Sequence, residues 1–429
     1  MSSMFRCIKC GRRYPIGTRL RCECGGLLEV EHEFASVNLT VFDRRLGSSA
    51  HPYHSGVWRF KELVHPDLDE AHIVSRPEGN TNLYAHRLLE EYVGARRLAL
   101  KHEGENPTGS FKDRGMTVGI SEARRLGARV VACASTGNTS ASLAAYAAQA
   151  GLSCVVFIPE GEIAYGKLAQ TLAYGAKVLQ MRGNFDDAMH IVQRASAELG
   201  FYLLNSVNPW RIEGQKTIIF ELLQQRGWRP PDWIVVPAGN LGNTSAFGKA
   251  LRELEAIGLI GEMPRLAAIQ AEGANPFYRL WVKGEEALTP AKPKTVASAI
   301  KIGAPVSWRR ALKAIRATGG VVEQVSDQEI MDAKAVVDRS GVGCEPASAA
   351  SVAGAKKLVE TGVIDPGEDV VCILTGNLLK DPDSTICYHT GALDGITPRF
   401  PNQPHAIEPE LSSVQEALCR FANEDRIRS

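Results

Sequence analysis

Short apolar segments alternating with helical stretches constrain the fold of this chain more than any other feature. Val130–Ala134, Cys154–Pro159 and Lys177–Met181 are brief runs rich in β-branched and apolar residues. Helical stretches at Ser140–Gln149, Gly166–Tyr174 and Phe185–Leu199 lie between and after them. The pattern resumes at Trp233–Val236, Arg265–Gln270 and Val370–Leu374. Strands that are apolar throughout are buried on both faces, which a parallel sheet covered by helices provides. Between Pro276 and Arg309 a Pro-, Gly- and Lys-containing stretch breaks the alternation and reads as long loops. With 429 residues the chain exceeds one typical core, so two domains and a small accessory module are expected. The expected architecture is α/β, with two doubly wound parallel-sheet domains. The smaller, over residues 117–208, is inserted into the larger, over 36–116 and 209–429.

Residues 1–35 form the expected module. Cys7-x2-Cys10 and Cys22-x-Cys24 are two short knuckles, with glycine after Cys10 and after Cys24. Four thiolates in a segment too short for its own core favour a structural zinc ribbon over free thiols. The single residue between Cys22 and Cys24 departs from the commoner pair of C-x2-C knuckles. With four cysteine ligands and no open position, such a metal would not be catalytic. The other six cysteines are scattered, which fits a reducing compartment, and a cytoplasmic location is expected. Charge is balanced at 49 Lys+Arg against 48 Asp+Glu, so no basic stripe marks a nucleic-acid partner or an anionic membrane. The longest apolar runs, such as Ala141–Ala150, are too short and alanine-rich to span a bilayer.

Glu105-Asn106-Pro107-Thr108-Gly109-Ser110-Phe111-Lys112-Asp113-Arg114-Gly115 carries the chemistry. Turn signals precede Lys112 and a helical run to Leu126 follows it, so the amine sits at the mouth of a helix. The segment resembles the cofactor-lysine motif of fold-type II pyridoxal-phosphate enzymes, in the version found in threonine synthases. The resemblance implies that Lys112 carries the cofactor, as an amine nucleophile whose pKa burial or a nearby cation lowers.

Three further segments support that resemblance. Ser135-Thr136-Gly137-Asn138-Thr139-Ser140 follows an apolar strand and opens an alanine-rich helix, offering free amides and a helix dipole to an anion. By resemblance Asn138 contacts the cofactor's phenolic oxygen, while Ser135 and Thr139 face substrate. Pro237-Ala238-Gly239-Asn240-Leu241-Gly242-Asn243-Thr244 lacks the G-x-G-x-x-G spacing of a dinucleotide turn. It resembles the family's glycine-rich phosphate cup, which assigns Gly239, Asn240, Leu241, Gly242 and Asn243 to the cofactor phosphate. Thr375 ends the last strand, where a hydroxyl points into a ligand crevice. The resemblance pairs it with the pyridine nitrogen, favouring elimination and replacement over transamination. Leu378 stands where the family commonly has glycine, which bears on the loop shape.

Asn205 and Arg211 flank a strand-to-helix turn, and an arginine fork suits a second anion. The alternative is a surface arginine paired with Glu213. By resemblance Asn205 and Arg211, with Asn240, bind the phosphate of O-phospho-L-homoserine. Ala297–Trp308 is similar to a threonine synthase signature, and Glu345-Pro-Ala-Ser348 resembles a segment near the cofactor ring. The match runs from Cys7 to about Asp383; the remaining residues carry no readable motif. The implied activity converts O-phospho-L-homoserine and water to L-threonine and phosphate, in a cytoplasmic homodimer with pyridoxal 5'-phosphate and structural zinc. Rival expectations within the fold are cysteate synthase, threonine dehydratase and cysteine synthase. A zinc-ribbon nucleic-acid-binding protein is disfavoured by neutral charge, and a catalytically dead paralogue by the presence of Lys112, Asn138 and Thr375.

Overall fold

The computed structural model describes residues 3–34, 37–160, 165–182, 191–192, 194–196 and 198–428, without the side chains of 165–167 and 422–428. Among the described residues, thirteen strands form three sheets. β1 (Ser3–Cys7), β2 (Arg13–Pro15) and β3 (Leu28–His32) make a small antiparallel sheet in the order β2-β1-β3. β4 (Leu83–Tyr84) and β5 (Arg97–His102) belong to the largest sheet. β6 (Val130–Ala134), β7 (Ser153–Pro159), β8 (Lys177–Met181) and β9 (Tyr202–Leu203) make a four-stranded parallel sheet in the order β8-β7-β6-β9. β10 (Trp233–Pro237), β11 (Arg265–Ala271), β12 (Val321–Val325) and β13 (Asp369–Leu374) complete the largest, in the order β12-β11-β10-β13-β5-β4. Every pairing in it is parallel except β4 with β5.

Both faces of the large sheet are covered. Ile234 and Val236 point into one core with Trp210, Phe220 and Phe247. Val235 and Ile269, facing the other way, pack with Ile330, Val336 and Val352. This two-sided burial is why the strands read as continuous apolar runs. The small sheet has a core of its own, where Val131, Cys133 and Val156 meet Leu143 and Tyr146. The N-terminal module lacks a separate core: Phe5, Leu28 and Val30 join the large-sheet core, and the Phe5 ring lies 6.3 Å from Trp210.

The strand positions follow the sequence expectation, but the stretch after Pro276 does not. Pro276–Lys283 is a helix, not a loop, with Pro276 in its first turn and Gly284 ending it at φ 64°. That is the usual placement of the two residues, proline where a helix N–H has no partner and glycine where the chain turns left-handed. Ser298–Ile300 is a helical turn within the otherwise irregular segment that follows. The expected helix Phe185–Leu199 lies mostly outside the described residues. Among the described residues, no helix is long and apolar enough to cross a membrane.

Two glycines set the distance that matters most for the site. The helices Lys112–Arg125 and Pro209–Gln225 cross with their backbones in contact. A Cβ on Gly214 would lie 1.8 Å from the Arg114 carbonyl oxygen, and one on Gly115 would lie 3.0 Å from the Arg211 carbonyl oxygen. No rotamer change relieves a clash with backbone. Gly214→Ala is therefore expected to destabilise the fold by about 3 kcal/mol in urea unfolding, with the helices forced apart.

Candidate functional site

Lys112 is the first residue of its helix, and the motif around it serves mainly to fix that position. Thr108 donates to Asp113 from its backbone N–H at 2.7 Å and its hydroxyl at 2.6 Å, and Ser142 donates to the same carboxylate at 2.5 Å. Burial pushes Asp113 up to about 6, against these three donors. Asn106 donates to Glu103 at 2.9 Å, and Arg114 reaches Glu103 at 2.6 Å and Glu221 at 2.8 Å. Glu221 also accepts from Arg59 and Lys101, at 2.8 and 2.7 Å. This buried network of three cations and two carboxylates ties the lysine loop to the large sheet. Burial alone would raise the Glu221 pKa, yet Arg114, Lys101 and Arg59 hold it far below the usual carboxylate range.

The other side of the loop is joined to the end of β13. Ser110 and Gly376 form a bridge, Phe111 donates to the Thr375 carbonyl at 3.0 Å, and Asn377 donates to the Gly109 carbonyl at 2.9 Å. Among the described residues Lys112 Nζ has no hydrogen-bond partner, and it lies 3.7 Å over the Phe111 ring. Burial, reinforced by the Arg211 charge and opposed by Glu345, lowers its pKa to about 7. An amine half neutral near pH 7 is a competent nucleophile and proton carrier.

Glu345 is the residue the sequence marked least clearly. It precedes the helix Pro346–Glu360, and its N–H donates to the Gly376 carbonyl at 3.1 Å. Asn138 donates to both its carboxylate oxygens, at 3.2 and 3.1 Å, across from the small-sheet side. Burial raises its pKa, with Asn138 and Lys112 opposing. Ser348, one turn on, was missed as a site residue. Its hydroxyl lies 3.1 Å from that of Thr375 and accepts from Gly376 N–H at 2.9 Å. The signal was present in the segment Glu345-Pro-Ala-Ser348, but its meaning depends on which strand end it meets. Leu378 is accommodated without a left-handed residue. It opens a short helical turn capped by Asn377, and it packs toward Gly343.

Gly239–Asn243 follow β10 and lead into the helix Gly242–Ala256. Leu241, a buried leucine, adopts φ 63°, a strained conformation of the kind that concentrates at ligand sites. Gly239 has no room for a side chain, since a Cβ would lie 2.9 Å from Ile300 Cα. The segment Ala297–Trp308 thus lies over this turn, and Val306 N–H donates to Asn240 Oδ1 at 3.0 Å. Asn240 in turn donates to Ser206 at 3.1 Å. Asn243 Oδ1 and Thr244 Oγ1 are buried without partners. Ser135 and Thr139 are partly exposed at the carboxyl end of β6 and the start of the helix Asn138–Ala150.

Arg211 is no surface residue, and Glu213 is not its partner. Only 4% of Arg211 is exposed, and Glu213 pairs instead with His32, Lys216 and Lys249. Its one hydrogen bond is Nη1 to the Leu204 carbonyl at 3.3 Å, and Nε has none. Among the described residues it makes no ion pair, and burial lowers its pKa to about 10. A buried cation left without an anion is costly and fits a site for an anionic ligand. Asn205 is occupied differently: its carboxamide accepts from Ala134 N–H at 3.0 Å and donates to the Ala134 carbonyl at 3.1 Å. It clamps the strand end that carries Ser135.

These groups fit a cofactor bearing a phosphate, an aldehyde and a pyridine nitrogen. Successive amides at a helix N-terminus suit the phosphate, and the orphaned Thr244 hydroxyl is a further donor in the same turn. The unpartnered Lys112 amine suits the aldehyde. The neutral Thr375–Ser348 hydroxyl pair suits the ring nitrogen.

In the N-terminal module, the Sγ atoms of Cys7, Cys10, Cys22 and Cys24 all lie within 4.8 Å of one another, so they can hold a metal ion. Gly11 and Gly25 take φ 75° and 79° after the knuckles.

The pyridoxal-phosphate dependent enzyme family matches residues 74–376. The chain is 50% identical to threonine synthase of Methanocaldococcus jannaschii, covering 96% of this chain and 98% of that one. It is 48% identical to threonine synthase of Methanosarcina acetivorans, with the same coverage. Among solved structures, Escherichia coli threonine synthase superposes with a TM-score of 0.69 at 17% identity, over 97% of this chain and 100% of that one. This chain therefore belongs to the pyridoxal-phosphate dependent enzymes of fold type II, in the branch formed by the threonine synthases.

Proposed function

We propose that this protein is a threonine synthase, converting O-phospho-L-homoserine and water to L-threonine and phosphate. The observation that carries the substrate assignment is the buried Arg211, without a counter-ion and close enough to Lys112 to depress its pKa. A phosphorylated substrate would bring the missing anion to the side of the reacting amine.

Bound pyridoxal phosphate supplies an electron sink for the carbanion charge that develops on the substrate. When it is bound, Gly239 to Asn243 would hold its phosphate, Asn138 would face its phenolic oxygen and Thr375 its ring nitrogen. Lys112 Nζ takes protons from the substrate carbons and returns them, its lowered pKa keeping both protonation states accessible near neutral pH. Arg211 clamps the substrate phosphate and retains it as it leaves the γ carbon, with Asn240 alongside. Asn205 supports this from the end of β6, where Ser135 and Thr139 meet the rest of the substrate. Glu345 keeps Asn138 oriented.

The small unit in this reading spans 117–208 and the large one 36–116 with 209–429. The boundary at 117 falls inside the Lys112 helix, whose Met116, Ile120 and Ala123 pack against the small sheet. The six cysteines outside the N-terminal cluster are scattered along the sequence, which supports a reducing, cytoplasmic setting.

Product analysis of the pyridoxal-phosphate-loaded enzyme with O-phosphohomoserine should yield threonine and phosphate in equal amounts. Turnover of O-phosphoserine with sulfite, and none of O-phosphohomoserine, would replace this reading with cysteate synthase.

The N-terminal cluster is read as structural zinc. Sulfur separations of 3.5 Å for Cys7–Cys24, Cys10–Cys22 and Cys10–Cys24 are close to the about 3.8 Å of a tetrahedral site with about 2.3 Å metal–sulfur bonds. Freshly prepared protein should contain one zinc per chain by elemental analysis. Cys22→Ser with Cys24→Ser should lose the metal and lower the melting temperature, leaving kcat within about twofold.

A further inference from the structure

A cavity of about 290 Å3 lies where the N-terminal module meets the body of the protein. Its walls are the first cysteine knuckle and the helices Pro209–Gln225, Gly242–Ala256 and Trp308–Ala317. Lys9, Arg252, Arg309, Arg310 and Lys313 line it, and Glu29 is the sole carboxylate among the lining residues. Lys249 and Arg6 also line the cavity but are paired, Lys249 with Glu213 and Glu253, and Arg6 with Glu31. The five other cations form no ion pair among the described residues.

Arg310 is the strongest indication. It is 8% exposed, and its Nη2 donates to the Leu28 carbonyl, yet Nε and Nη1 have no partner. Arg252 Nη1 is likewise buried and unpartnered. In a chain of net charge +1, five unpaired cations around one cavity face a single lining carboxylate, Glu29, which offsets their mutual repulsion only in part. Burying unsatisfied guanidinium atoms adds to that cost, and an anion would offset both. Guanidinium forks match phosphate geometry bidentately. The volume is that of about ten waters, more than a bare phosphate fills. Ile8 and Ile212 provide an apolar wall for an organic portion.

We propose that this cavity binds a phosphate-bearing small molecule, and that the bound anion fastens the N-terminal module to the helices that build the active site. The two sites share those helices. Pro209–Gln225 turns Arg211 to one and Ile212 to the other. Gly242–Ala256 contributes Gly242 and Asn243 to the cofactor cup, and Ser245 and Arg252 to the cavity.

Equilibrium dialysis of the pyridoxal-phosphate holoenzyme, with inorganic phosphate and separately with glycerol phosphate as probes, tests the proposal. Wild type is compared with Arg309→Glu/Lys313→Glu, which alters two exposed side chains outside the active site. One class of phosphate binding should weaken by at least about tenfold in the double variant, while phosphate-free kcat is unchanged. Tighter binding of glycerol phosphate would identify an organic ester as the ligand, and tighter binding of inorganic phosphate the free ion. Binding curves that overlay for the two proteins would overturn the proposal, as would wild type showing no phosphate binding beyond the class retained by the double variant.

Discussion

Lys112→Ala should abolish threonine formation, lowering kcat by roughly 1000-fold or more, because one amine serves both as cofactor anchor and as proton carrier. The phosphate cup does not depend on Lys112, so the variant should still bind pyridoxal phosphate, though reversibly. Borohydride treatment followed by peptide mass analysis should label Lys112 in wild type; a label on another lysine would remove the basis of the assignment. The same residue predicts a pH dependence. Burial and the Arg211 charge depress the amine to about 7, so its neutral, nucleophilic form dominates above that pH and is lost below it. Cofactor capture by the apoenzyme should accordingly slow by about tenfold between pH 7.5 and pH 6, measured as the rate at which the visible absorption band appears.

Arg211→Ala should separate the substrate from the cofactor. Cofactor content should stay near normal while kcat/KM for O-phosphohomoserine falls about 30- to 1000-fold, the equivalent of roughly 2–4 kcal/mol for a charge-assisted bidentate contact. Arg211→Lys should recover part of the loss, since lysine keeps the charge and loses the fork. Removing the cation has a second consequence in the free enzyme. Arg211 helps to lower the Lys112 pKa, so the alanine variant should shift the pH profile of cofactor capture upward. An empty cofactor site in Arg211→Ala would mean that the arginine holds the wrong phosphate in this reading.

The central strands were legible because a buried parallel strand leaves a continuous apolar run, as at Trp233–Val236 and Val370–Leu374. The helix Pro276–Lys283 was missed although its signals were present: proline at the start, Lys283 in the last turn and Gly284 after it. Proline and glycine were counted as breakers when they were acting as boundaries. Lys112, Asn138, Thr375 and the glycine-rich turn were legible through resemblance. Glu345 and Ser348 were harder to read, because their roles arise from contacts with Asn138 and Thr375, far away in the chain. Asn106, Thr108, Asp113 and Arg114 looked like parts of a catalytic motif. They prove to be scaffold, bonding to one another and to Glu103 and Glu221. Nor could any sequence pattern show that Gly115 and Gly214 lie opposite each other, since that depends on how two helices cross.

The bridge between Ser110 and Gly376 has a consequence for synthesis of the protein. β13, which ends just before that bridge, lies between β10 and β5 in the middle of the large sheet. A nascent chain that has emerged only as far as the helix Gly242–Ala256 can hold the lysine and the phosphate cup, yet lacks the strand that joins β5 to the rest of the sheet. Such contacts between distant segments form late. The cofactor should therefore be captured only after nearly the whole polypeptide has been made, and a fragment ending before residue 369 should take up no pyridoxal phosphate however long it is incubated.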